Sequence, residues 1–190
     1  MLASVDAVQS AATALDRADA TCATGQGVAA RSAHLAALPL THRAHVALAR
    51  LDGQVAAYRR ALVVLLGASS TVDGAGRAAL RDVVRDGQSE AKAFGAFRVT
   101  ATALWPAYDR LNDDEELWIT RAVMPWYRTP QEGAAAYAVL VDDHRAALTT
   151  ARSHLAAAAA AVAGPSAAQS ASLAAADRAL SGLRTRTPSP

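Results

Sequence analysis

Residues 80–111, LRDVVRDGQSEAKAFGAFRVTATALWPAYDRL, decide the fold class. Leu80, Val83, Gly87, Glu90, Phe94, Phe97, Ala101, Leu104, Tyr108 and Leu111 follow one another at alternating steps of three and four, without a slip. Such spacing lines one side of a helix in coiled-coil-like packing, whereas a strand would repeat every second residue. Pro106 removes one ladder bond and crowds the preceding turn, so a kink or restart is predicted there.

The same period extends upstream. Leu48, Leu51, Val55, Tyr58, Leu62 and Leu65 give a seam for a helix over 41–66, ended by Gly67-Ala68-Ser69-Ser70-Thr71. Before it, a helical segment over 4–37 is interrupted at Gly25-Gln26-Gly27. Val5, Val8, Ala12 and Leu15 line one phase ahead of the glycines, and Val28, Leu35 and Leu38 a shifted phase after them. Leu38-Pro39-Leu40-Thr41 reads as a tight connection with Thr41 as N-cap.

Downstream, Asn112 is placed to cap a short helix over 112–124. Asp113, Asp114, Glu115 and Glu116 suit the positive end of its dipole, and Pro125 stops it. Thr129-Pro130-Gln131-Glu132 is the strongest start signal in the chain, with a capping threonine, proline at the first helical position and glutamate three residues past the cap. It opens a helix over 129–163 with Tyr137, Val141, His144, Leu148, Ala151, Leu155, Ala158 and Val162 on its seam. Gly164-Pro165 is expected to end it, and a weaker helix over 166–180 follows. The predicted fold is all-α: an elongated up-down-up-down four-helix bundle with a short aromatic connecting helix and a fifth C-terminal helix. It forms one domain over 1–183, and 184–190 is a disordered tail.

Composition excludes several classes. The chain has 190 residues and a net charge of +2, with 52% hydrophobic residues, which argues against intrinsic disorder. Of its residues 51 are alanine, and Lys92 is the single lysine among 19 basic residues. That balance reads as the coding bias of a GC-rich bacterium. One cysteine, Cys22, excludes an internal disulfide framework and a cysteine-rich zinc site. No segment approaches the length of a membrane span. The N-terminal MLASVDAVQS lacks a basic start and an apolar core, so the expected compartment is the cytoplasm. Arginines and acids interleave, which argues against a nucleic-acid partner.

Three constellations are candidates for function. Asp19, Glu90 and His144 interrupt apolar seams and, counted at the helical rise, lie between about 22 and 28 Å from one bundle end. Carboxylates and imidazole on facing helices are what bundle metal sites use, so these three are the candidate ligands for a divalent metal. Without a Glu-x-x-His motif, simple mutual hydrogen bonding competes with that reading. His34, His42 and His45 flank the expected 38–41 connection and form a second, weaker cluster. Seven of the aromatic residues fall between Phe94 and Tyr127. Trp118, Trp126, Tyr127 and Arg128 are the candidate protein-contact residues, since aromatics and arginine dominate binding hot spots. No phosphate loop or nucleophile motif occurs. The expected function is therefore non-enzymatic, without a cofactor. It is that of a scaffold, adaptor or assembly component acting on a protein partner or by self-association. The alternative is a metal- or small-ligand-binding bundle, with or without enzymatic activity, using the Asp19, Glu90 and His144 layer.

Overall fold

The structure, a computed structural model, describes residues 1–72, 74–123 and 129–184. All regular elements among them are helical: α1 (Leu2–Cys22), α2 (Gly27–Ser69), α3 (Gly74–Val123), α4 (Pro130–Val141) and α5 (Arg145–Arg184). A single 3₁₀ turn, Asp142–His144, separates α4 from α5. No helix among the described residues is long and apolar enough to cross a membrane.

Three prolines at predicted interruptions lie inside continuous helices. α2 runs through Pro39, α3 through Pro106 and α5 through Pro165. Pro39 and Pro106 are exposed, and so are Leu35 and Thr102, whose carbonyls lose their ladder bonds. Water can satisfy a carbonyl freed on an outer face, and packing along the helix outweighs the local cost of the lost bond. Thr41 therefore caps nothing; its hydroxyl donates back to the Ala37 carbonyl at 3.2 Å. Asn112 likewise lies inside α3, so 112–124 is the last part of one long helix. The break predicted at Gly164-Pro165 falls instead at Asp142–His144. Aspartate's short carboxylate competes for backbone N–H groups and weakens a helix interior there.

Other signals hold. The break expected at Gly25-Gln26-Gly27 is there, between the end of α1 at Cys22 and the start of α2 at Gly27, and Gly25 has φ of +71°, in the left-handed region. α2 ends at Ser69, within the predicted stop. Thr129 accepts from the Glu132 N–H while the Glu132 side chain accepts from the Thr129 N–H, giving the predicted capping box.

The chain divides into two compact units: Leu51–Phe97 with Ala158–Pro190 and Met1, and Leu2–Arg50 with Arg98–Ala157. In the first, α2 and α3 run antiparallel, for Tyr58 meets Glu90 and a Cβ at Gly87 would meet Leu62. α3 and α5 are antiparallel too, with Glu90 against Ser166 and Asp86 against Ser172. Leu80, Val83 and Ala176 close the core at one end. In the second unit, Leu15, Trp105, Tyr108, Leu111, Trp118 and Tyr137 are almost wholly buried and are among its largest buried side chains.

Candidate functional site

α2 carries two different 3-4 patterns on two faces. The inward one reads Ala30, His34, Ala37, Thr41, Ala44, Leu48, Leu51 and Val55, and all eight are buried. The outward one reads Val28, Arg31, Leu35 and Leu38. Here the valine is 80% exposed and the leucines 54% and 38%. The shifted phase expected to line the core after the glycines is thus the solvent face. Alanines fill the inward phase, and their small side chains let a neighbouring helix approach closely.

The seam of α3 also continues past Leu111, with no break at Asn112. The next steps of four and three place Glu115 and Trp118 inside, and both are fully buried. Since α2 and α3 are antiparallel here, the inward His34 meets Glu115, Nδ1 to Oε2 at 3.3 Å. Burial first of all, countered in part by His34, pushes the Glu115 carboxyl up to about 7. Its other oxygen, Oε1, is buried with no hydrogen-bond partner. Cys22 of α1 is also fully buried; desolvation, then the charges of Glu115 and Asp19, push its thiol up, so it stays protonated and unreactive.

The groove between α2 and α3 lies directly over this couple. It has a volume of about 340 Å³, and its lining includes Arg31, His34, Leu35, Leu38, Glu116 and Ile119. His34 therefore has two roles: its ring forms part of the groove, and its Nδ1 holds the buried carboxyl. Leu35 and Leu38 form an apolar wall, with Arg31 and Glu116 as opposite charges among the lining residues.

The three predicted metal ligands each have partners of their own. Asp19 accepts from the Tyr137 hydroxyl at 2.6 Å and from Arg152 at 2.8 Å. Glu90 accepts from Tyr58 at 2.7 Å and from Ser166 at 2.8 Å, so both its oxygens are used. His144 sits in the 3₁₀ turn, 3.4 Å from Asp114. Among the described residues no group of three His, Cys, Asp or Glu side chains is placed to hold a metal ion. A second depression, of about 360 Å³, is lined by residues including Asp19, Tyr137, Arg145 and Arg152. Asp16 and Asp19 already bind Arg152, which leaves that cation little pull on a ligand.

The histidine cluster does not assemble as expected, because no connection folds back at 38–41. His34 is buried against Glu115, His42 is exposed, and His45 lies on the Asp109 side. The His45 Nε2 accepts from the Trp105 indole N–H at 2.8 Å and lies 2.9 Å from Asp109. One ring nitrogen cannot accept from the indole and donate to the carboxylate together, so these contacts are alternatives. Of the contact candidates, Trp118 is core: its indole donates to the Gly133 carbonyl at 2.9 Å, and its ring meets Tyr137 edge-on. Trp126, Tyr127 and Arg128 lie outside the described residues. No protein-family model, curated protein or solved structure matches this chain.

Proposed function

We propose that this chain is a non-enzymatic helical-bundle protein that works through protein contacts, as a scaffold, adaptor or assembly component, and that the outward face of α2 is its docking surface. One observation carries the reading: Val28, Leu35 and Leu38 stand in water at the 3-4 spacing of a helix-packing seam. Fully burying a side chain of this kind contributes about 1.5–3 kcal/mol. A large apolar stripe beside a groove, rimmed by charge, is the surface on which an amphipathic helix lies down. Alanine-rich faces of α5 offer area too, but methyl groups contribute far less per contact.

A photo-reactive residue placed at position 35 tests this, with position 178 on exposed α5 as control. Illumination in cell extract is expected to give a discrete protein adduct at 35 and none at 178. Absence of any adduct at 35 refutes the docking face.

A further inference from the structure

We propose that the occupant of the α2/α3 groove is a second copy of this chain, docked about a two-fold axis that runs along the groove; this rests on the docking reading above. A closed two-fold interface must be self-complementary, each residue meeting in the other copy the partner that its own counterpart meets. The groove has that property. Arg31 stands on α2 and Glu116 on α3, both exposed and both lining it. No ion pair or hydrogen bond among the described residues engages either charged side chain. An axis along the groove sets α2 of one copy against α3 of the other. Arg31 and Glu116 then pair twice across the interface, while the exposed Leu35 and Leu38 of each copy are shielded from water between the two copies.

The charge arrangement resists other arrangements as well. His34 and Glu115, buried under the groove, present no second charge at the surface, so the rim pair sets the register. The low net charge of +2 adds little repulsion between copies.

Sedimentation velocity over a range of concentrations, with charge reversals at the rim, tests the proposal. The native chain is expected to dimerise at or below about 100 µM. Arg31→Glu alone and Glu116→Arg alone each set like charges together twice and should weaken the dimer at least about tenfold. The doubly reversed chain, Arg31→Glu with Glu116→Arg, should recover affinity to within about threefold, and an equimolar mixture of the two single variants should form a heterodimer. Both positions of this test are exposed, so circular dichroism should remain native. A chain that stays monomeric throughout, or a dimer indifferent to these reversals, overturns the proposal. The adduct at position 35 separates the two readings: twice the chain mass supports the second copy. A different mass leaves the docking face standing and sinks the second copy.

Discussion

Ionising Glu115 costs more inside the folded chain than in water, and that sets the sign of a pH effect. Its surroundings are His34 on α2, Cys22 and Asp19 on α1, Tyr137 on α4 and Arg152 on α5. The folded carboxyl titrates at about 7 against an ordinary 4.5. The folded state therefore binds the proton more tightly than the unfolded chain. The stability from this group is complete below about 4.5, falls as pH rises toward 7, and is gone above it. Glu115→Gln keeps the shape and removes the titration. Urea unfolding should show the native chain losing roughly 2–3 kcal/mol between pH 4.5 and 8 relative to this variant. Parallel pH curves for the two proteins would show that Glu115 is not desolvated. Little of this couple was readable in advance. Glu115 stood one step of four past Leu111, but the acidic run Asp113 to Glu116 resembled a helix start and hid the seam.

At the scale of elements, the seams were legible and the ends were not. The 3-4 spacing of 80–111 and 48–65 survives intact because large side chains mark it. The inward phase of α2 from Ala30 to Ala44 was invisible, because alanine looks the same on a core face and on a solvent face. His34, which lies in that phase, carries no mark of its burial in the sequence. Prolines misled for a related reason: a break signal is a local cost, and packing along a whole helix outweighs it. Pro39 offers a direct check. Its ring is exposed, so Pro39→Ala should restore a ladder bond at no cost in packing. A gain of about 1–3 kcal/mol in thermal or urea unfolding is expected. A loss would mean that α2 is bent at Pro39 to fit its neighbours.

For the molecule as a whole, charge is distributed rather than gathered. The exposed Arg85 pairs with Asp82 and Asp86 beside it, each at 2.8 Å. Surface pairs of this kind contribute about 0–1 kcal/mol and are screened by salt. Raising NaCl from about 50 to about 500 mM should therefore move the melting temperature by less than about 3 °C. The same interleaving predicts no retention on duplex DNA at physiological salt. Steep salt dependence in either measurement would reveal a concentrated field that the charge pattern does not contain. Alanine, so abundant in this chain, shapes stability in the same spirit. Its methyl groups close the gaps between helices, and rings and leucines supply the energy.

The contact at Gly25 sets an order of events in the life of the chain. A Cβ there would lie 1.8 Å from the Pro130 carbonyl oxygen, and Gly133 in turn lies against the backbone of Gly25. Asp16 and Asp19 of α1 likewise find Arg152 and Tyr137 far along the sequence. α1 and the turn after it thus find these partners more than a hundred residues further along the chain. At about 5–20 residues per second, these contacts of α1 wait several seconds for their partners. A nascent-chain chaperone would have that interval in which to meet α1.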